Sequence, residues 1–353
     1  MLRCLQLAGK AEGMVAPNPM VGAVLVYEDR IIGEGFHKNY GEAHAEVNCF
    51  NSVKKEDEDL IPSSTLYVSL EPCAHFGKTP PCADLIIKKK VKKVVVGCQD
   101  PFHEVKGKGI EKLKAAGIRV EMSSLEKECR DLNKAFFTFH TLHRPYIILK
   151  WAQTADLRLD HQKPERLLIS NAYTNRLVHQ WRSQTQSLLV GTNTALADNP
   201  QLTTRLWRGK NPVRLVVDMD LQLQHSLNLF NDEATTIVFN IKQHTVPEDS
   251  DITSNDKGVF FYQVTKDVNL VHQMLNALYK LKIQSLIVEG GAYLLQSFID
   301  ENAWDESRVI TNKNLVVGEG LPAPVLTNQQ IIKSEDIFSD TIQYYFQNNN
   351  LHP

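Results

Sequence analysis

The chain has 353 residues, of which 42% are hydrophobic and 23% charged, and its formal net charge is −2. That length exceeds a usual single core and predicts two domains, while the composition excludes a disordered or fibrous chain. The charge excludes a global positive field able to recruit nucleic acid.

In chain order, Met20 to Val26 is an apolar stretch, and Arg30 to Gly35 resumes it after a turn at Glu28-Asp29. Thr65 to Leu70 and Lys93 to Gly97 are further short strands rich in β-branched residues, with helical patterns between them, so the first half is an α/β layer domain. The charged run Lys54 to Asp59 reads as a solvated loop or helix end. Ile110 to Gly117 predicts a helix stopped by glycine, Ile118 to Met122 a last strand, and Leu125 to His143 one helical stretch. Arg144-Pro145 then opens a new apolar strand, Tyr146 to Trp151, and the alternation begins again, which places the domain boundary at 143/144. Ser187 to Val190 is a strand ending in Gly191-Thr192-Asn193-Thr194, and Ser285 to Val288 another, ending in Glu289-Gly290-Gly291 before a helical Ala292 to Asp300. Glycines between a strand and a helix let backbone N–H groups approach an anion, so the second turn is a candidate pyrophosphate seat, although such pairs are often mere turns. The Gly-x-Gly-x-x-Gly fingerprint is absent there, and an ordinary dinucleotide-binding domain is not indicated.

The chemistry concentrates in His44-Ala45-Glu46, Glu71-Pro72-Cys73 and Pro81-Cys82. A catalytic zinc takes three protein ligands and keeps its fourth position for water, which fits His44, Cys73 and Cys82 and leaves Glu46 to move protons. Zinc deaminases share this His-x-Glu and Pro-Cys signature. Hydrolysis of an amidine at a ring carbon needs hydroxide at neutral pH and then an acid for the departing ammonia; zinc lowers the pKa of its water to roughly 7 and a carboxylate can shuttle the proton. Glu46 lies about 200° from His44 around a helix, so the motif is expected on a first helical turn, with the carboxylate reaching the water from another side. The alternative is a structural zinc site, which needs a fourth protein ligand, and His75 is available for it. The remaining cysteines, Cys4, Cys49, Cys98 and Cys129, are expected as ordinary core or surface thiols. With no secretory leader and no apolar run long enough to span a membrane, all six cysteines are read as belonging to a reducing cytoplasm.

Several blocks together resemble the bifunctional deaminase–reductase family of riboflavin biosynthesis. They are Pro17-Asn18-Pro19-Met20-Val21-Gly22, Gly35-Phe36-His37, Gly41 to Glu46, and above all the run from Glu71-Pro72-Cys73 through Lys78-Thr79 to Pro81-Cys82, in which eight residues (74–81) separate the cysteines. General nucleoside and tRNA deaminases have only two there. The likeness continues through Asp100-Pro101, Gly107-Lys108-Gly109, Arg144-Pro145-Tyr146, Leu149-Lys150, Val190-Gly191-Thr192, Asp198-Asn199-Pro200, Leu202-Thr203 and Glu289-Gly290-Gly291, so it covers essentially the whole chain.

The resemblance implies a cytidine-deaminase-like α/β/α domain over residues 1–143 and a dihydrofolate-reductase-like α/β domain over 144–353. The first would deaminate 2,5-diamino-6-(5-phosphoribosylamino)pyrimidin-4-one with one zinc per chain, and the second would reduce the ribosyl group to ribityl with NADPH. It implies His44, Cys73 and Cys82 as ligands, Glu46 as proton carrier, and Asn18, His37, Lys78 and Thr79 as contacts to the pyrimidine or its phosphoribosyl arm. Lys78 and His37 have the chemistry of phosphate partners. In the second half it implies substrate contacts from Lys150, Arg182, Leu202, Arg205 and Glu289, and cofactor contacts from Ala152, Thr194, Asp198 and the segment starting at Gly291. Arg182 and Arg205 suit a phosphate because a guanidinium forks onto it.

Three departures stand out. Thr154-Ala155-Asp156-Leu157 replaces the family's usual Ser-x-Asp-Gly, Leu168 stands where tryptophan is common, and Gln186-Ser187 replaces an Asp-Ala pair. A leucine held at positive φ would cost on the order of 1–2 kcal/mol unless the loop is remodelled. The bifunctional reading therefore stands beside a deaminase whose impaired reductase half serves as scaffold, and, less favoured, a nucleic-acid deaminase, against which the charge and the cysteine spacing count. A small phosphoribosylaminopyrimidine is the expected partner, not nucleic acid or membrane; a homo-oligomer is left open.

Overall fold

Each half of the chain builds its own sheet. The computed structural model describes residues 1–76, 80–102, 105–161, 165, 167–247, 252 and 256–348, and two units separate, Met1–His143 and Arg144–Pro353.

The first unit runs α1 (Leu2–Ala8), β1 (Gly22–Tyr27), β2 (Arg30–Phe36), α2 (Ala45–Asn51), β3 (Thr65–Val68), α3 (Cys82–Lys88), β4 (Lys93–Val96), α4 (Lys108–Ala115), β5 (Arg119–Met122), α5 (Glu126–Leu132) and α6 (Lys134–Leu142). Its strands lie in the order β2-β1-β3-β4-β5, antiparallel on either side of β1 and parallel from β3 onward. Period-two alternation sends Ala23 and Leu25 to one face, where they pack with Ala45, Phe50, Ile86 and Leu113 of the helices α2, α3 and α4. Val24 faces the opposite way and meets Cys4 and Leu7 of α1, while Phe136 and Phe137 of α6 cover Leu70 and Cys98 on that side. Helices on both faces make this an α/β/α layer.

Two local expectations are corrected. The stretch 125–143 is not one helix, because Asn133 is buried and its side-chain amide is spent on the backbone of Met20, accepting from Met20 N at 2.7 Å and donating to Met20 O at 2.9 Å. That residue leaves helical geometry and separates α5 from α6. The run Lys54 to Asp59 is not wholly solvated either, since it enters a 3-10 turn, Lys55–Ser63, whose Asp57 is buried and accepts two bonds from the Arg30 guanidinium, at 2.7 and 3.1 Å.

The second unit runs β6 (Tyr146–Thr154), α7 (Ala172–Gln184), β7 (Ser187–Gly191), α8 (Thr192–Asp198), β8 (Val213–Val217), β9 (Thr236–Asn240), β10 (Val259–Gln263), α9 (Leu270–Lys280), β11 (Ser285–Glu289), α10 (Ala292–Asp300), β12 (Glu306–Asn312), β13 (Gln329–Ile337) and β14 (Asp340–Gln347). The described strands form one mixed sheet, β10-β9-β8-β7-β11-β6-β12-β14-β13, parallel from β10 through β12 and antiparallel across β14 and β13. The near-continuous apolar runs of β6, β7, β8 and β11 are what a parallel sheet covered on both faces requires. Arg144 fixes the start of the unit by forking onto Asp305 at 2.6 and 2.8 Å, and Asp305 also accepts from the backbone of Ile147 at 2.8 Å.

The feature of the first sheet that positions chemistry is the absence of a side chain at Gly35, where β2 meets α2. A Cβ at Gly35 would lie 2.3 Å from Cys49 N and 2.6 Å from Asn48 C, so helix backbone rests directly on strand backbone. Gly35→Ala is expected to push α2 outward and lower the stability of the first unit by about 1–3 kcal/mol, the usual cost of overpacking. Urea unfolding followed by circular dichroism measures it, and an unchanged midpoint would show that α2 is free to give way.

Candidate functional site

His44 is the N-cap of α2, in extended geometry (φ −69°, ψ 165°), and Glu46 lies in the first turn, as the 200° argument requires. Cys73 comes from the loop after β3, and Cys82 is the first residue of α3. Their ligand atoms all lie within 4.8 Å of one another. The Sγ atoms of Cys73 and Cys82 stand 3.7 and 3.3 Å from His44 Nδ1. Tetrahedral zinc with ordinary Zn–S and Zn–N bonds places such atoms ~3.6 Å apart, so one nitrogen and two sulfurs here fit that ion. His75, the candidate fourth ligand of a structural site, is exposed and outside the group.

The electrostatics suit proton transfer. Glu46 is buried, and burial, reinforced by the nearby Cys73, pushes its carboxyl up to about 7, within hydrogen-bonding reach of the Cys82 side chain. A carboxyl poised near neutrality can both accept and deliver a proton. The hydrogen bond with Cys82 holds the Cys73 thiol below the usual thiol range, and the same bond with burial drives Cys82 up. The other four cysteines are buried and unbridged, as expected.

A set of hydrogen bonds surrounds the backbone just before His44. Ala43 O accepts from Asn48 Nδ2 at 3.2 Å and from His37 Nδ1 at 3.1 Å, and Asn18 Nδ2 donates to His37 Nε2 at 3.1 Å. Both nitrogens of His37 are thus committed, its ring centroid is 5.5 Å from that of His44, and burial pushes its pKa down. His37 is therefore held as a neutral imidazole close to His44. Lys78 and Thr79 lie outside the described residues.

Sequence reasoning gave Glu71 no task, although it stands in the block it quoted. Its buried carboxylate accepts four backbone N–H groups, from Asp100 (3.2 Å), Gly107 (3.0 Å), Gly109 (2.9 Å) and Ile110 (3.2 Å). It thereby ties the loop carrying Cys73 to the segment around Asp100, whose buried carboxyl is pushed up to about 7 chiefly by desolvation. Asn48 was missed as well. Glu71 acts through partners distant in sequence, and Asn48 through the carbonyls of Ala43 and Phe36, and no residue pattern marks either.

In the second unit, Glu289 ends β11, at the carboxyl end where parallel α/β sheets bind ligands, and its register partner on the adjacent parallel strand is Lys150, midway along β6. Arg182, on α7, forks onto Glu289 with Nε–Oε1 3.1 Å and Nη2–Oε2 2.5 Å. Burial alone would raise the Glu289 carboxyl, but Arg182 and Lys150 outweigh it and hold it down at about 2. The turn after β11 is left-handed at both glycines, φ +97° and +83°, and a Cβ at Gly290 would lie 2.9 Å from Thr194 Cγ2. Thr194 and Gly291 are thus neighbours, and Asp198 lies one turn further along α8. Ala152 is half-buried on β6, Leu202 is buried at φ +50°, and Arg205 is exposed on the loop that follows. His179, which sequence reasoning also missed, is buried beside Arg182 and accepts the Arg205 N–H.

The departures resolve into separate cases. Leu157 sits at φ +60°, and its turn is closed by Leu157 N to Thr154 O (3.0 Å) and Ala323 N to Leu157 O (3.0 Å). Gln186 and Ser187 bond Gln284 N, Ser285 Oγ and Ser285 O, which knits β7 to the beginning of β11, the end opposite Glu289. Leu168 is exposed.

Comparison with known proteins places these sites in a family. Residues 1–98 match the cytidine and deoxycytidylate deaminase zinc-binding region, and residues 145–340 match the RibD C-terminal domain. Among curated relatives, the riboflavin biosynthesis protein RibD of Aquifex aeolicus is 41% identical over 90% of this chain and 86% of its own length. That of Bacillus amyloliquefaciens is 38% identical over 86% and 80%. Among solved structures, the diaminohydroxyphosphoribosylaminopyrimidine deaminase/5-amino-6-(5-phosphoribosylamino)uracil reductase of Thermotoga maritima superposes with a TM-score of 0.87 at 35% identity, covering 98% of this chain and 97% of that one. With a deaminase zinc region and a reductase domain matched in succession along one polypeptide, the chain belongs to the RibD family of bifunctional riboflavin-biosynthesis enzymes, which use zinc for deamination and NADPH for reduction.

Proposed function

We propose that residues 1–143 deaminate 2,5-diamino-6-(5-phosphoribosylamino)pyrimidin-4-one and that residues 144–353 then reduce the ribosyl group of the product to ribityl. The observation that carries the first half is the His44, Cys73 and Cys82 donor set with Glu46 buried two residues from His44, in the first turn of the same helix. Those three residues would hold zinc, which supplies an acidified water at neutral pH. Glu46 takes the proton from the attacking water and returns it to the departing amino group, a cycle suited to a carboxyl near neutrality. Asn18, His37, Lys78 and Thr79 are assigned to the pyrimidine or its phosphoribosyl arm, while Asn48 secures the backbone of Ala43 just before His44.

In the second half, Arg182 and Arg205 are assigned to the substrate phosphate, with Lys150, Leu202 and Glu289 completing the pocket. Ala152, Thr194, Asp198 and the turn from Gly291 are assigned to NADPH, which brings the hydride when bound. The intact Lys150–Glu289–Arg182 array favours an active reductase over a scaffold, because a cleft that had lost its task would be free to lose these charged groups. Gln186 and Ser187 lie at the other end of the sheet and bear on packing. The net charge of −2 supports a small-molecule partner in place of nucleic acid. No helix among the described residues is long and apolar enough to cross a membrane, and we assign the enzyme to the cytoplasm.

Elemental analysis of protein purified without chelator should find one zinc per chain, falling to background in Cys82→Ser; equal metal in both would remove Cys82 from the ligand set. Glu46→Gln preserves size and should retain zinc while ammonia release falls by roughly 10²–10⁴-fold. Near-normal release would assign the proton to another group. For the reductase, Lys150→Ala should slow NADPH oxidation on the deaminated intermediate at least about tenfold while leaving deamination intact. No oxidation by the parent enzyme at saturating cofactor would favour the scaffold reading.

A further inference from the structure

The loop bearing Arg205 lies along a single face of α7, with contacts at helical spacing. The Arg176 guanidinium stacks 5.3 Å from the Trp207 ring centroid. His179 Nδ1 accepts the Arg205 N–H at 3.2 Å, and Arg182 Nη1 donates to Thr203 O at 3.4 Å. Ser183 lies so close to Gly209 that a Cβ there would be 2.5 Å from its own Cβ. Within the loop, Thr204 donates to Asn211 Oδ1 at 2.9 Å and to Lys210 O at 3.1 Å.

Of these contacts, His179 alone reaches the backbone of Arg205. The histidine is buried, and desolvation together with the charges of Arg182 and Arg205 holds its pKa down at about 4, so Nδ1 keeps its lone pair. A neutral acceptor is what this place needs. A carboxylate could accept the same N–H, but it would pair with the two guanidiniums and compete with an incoming phosphate.

We propose that His179 is a positioning residue of the reductase: by accepting the Arg205 N–H it fixes where the Arg205 guanidinium leaves the loop, and so sets affinity for the substrate's phosphate arm. The proposal rests on the reading of Arg205 as a substrate contact. It separates His179 from Arg182, whose guanidinium is engaged by Glu289, and from the residues assigned to NADPH.

The test uses the full-length enzyme as wild type, His179→Ala, His179→Asn and Arg205→Ala. NADPH oxidation on the deaminated ribosylaminouracil phosphate is followed beside NADPH binding by fluorescence and ammonia release by the first unit. His179→Ala should raise the substrate KM about tenfold with kcat nearly unchanged, the loss of one buried hydrogen bond, while NADPH binding and deamination stay at wild-type values. His179→Asn puts Oδ1 where Nδ1 was and should recover most of the KM, a rescue that a general packing role would not produce. Wild-type KM in His179→Ala, or loss of NADPH binding in both histidine variants without rescue by asparagine, overturns the proposal. An unchanged KM in Arg205→Ala overturns the reading of Arg205 and the proposal with it, whereas a raised KM there beside a wild-type KM in His179→Ala overturns the proposal alone.

Discussion

The deaminase site depends on a carboxylate that takes no part in the chemistry. Glu71 is buried between the Cys73 loop and the segment that runs from Asp100 to Ile110, and both its oxygens are filled by backbone N–H donors. Burying a carboxylate costs several kcal/mol, and each charge-assisted bond returns about 1.5–3, so four donors are the kind of surrounding in which it is tolerated. The geometry is correspondingly exacting. Removing the carboxylate would leave four N–H groups unpaired and free the loop that presents a sulfur to the metal, so a ligand that looks like a loop residue is held as firmly as one on a helix.

The reductase unit handles charge differently. Its polar groups are balanced against each other around the carboxyl end of β11: Lys150 beside Glu289, Glu289 bonded to Arg182, and Arg182 against Thr203 O. The pairing keeps each side chain in one direction before any ligand arrives, which lowers the ordering cost at binding. Two cations share one anion there, so the array retains positive charge for a phosphate.

Elements set by local pattern were legible in the sequence. The β-branched runs gave β1 to β4, β6, β7 and β11, and the angular separation of His44 and Glu46 gave the helix start. What escaped was set by polar partners distant along the chain. Asn133 breaks a helix because its amide is committed to Met20, and nothing within a turn of Asn133 records that. Glu71 finds its donors some thirty residues on, and Arg182 meets Glu289 across 107 positions. Neither the left-handed conformation of Leu157 nor the neutrality of His37 could be read from residue type, since the first is imposed by a turn and the second by burial.

The contact of α2 with β2 has a dynamic consequence. Because backbone meets backbone at Gly35, no flexible side chain lies between them to absorb a partial opening of the helix. A short helix normally frays independently of its sheet, yet His44 and Glu46 sit on a first turn that cannot swing away without uncovering the strand beneath it. The helix and the hairpin should therefore open as one cooperative unit, with amide hydrogens of α2 exchanging at the slow rate of β1 and β2.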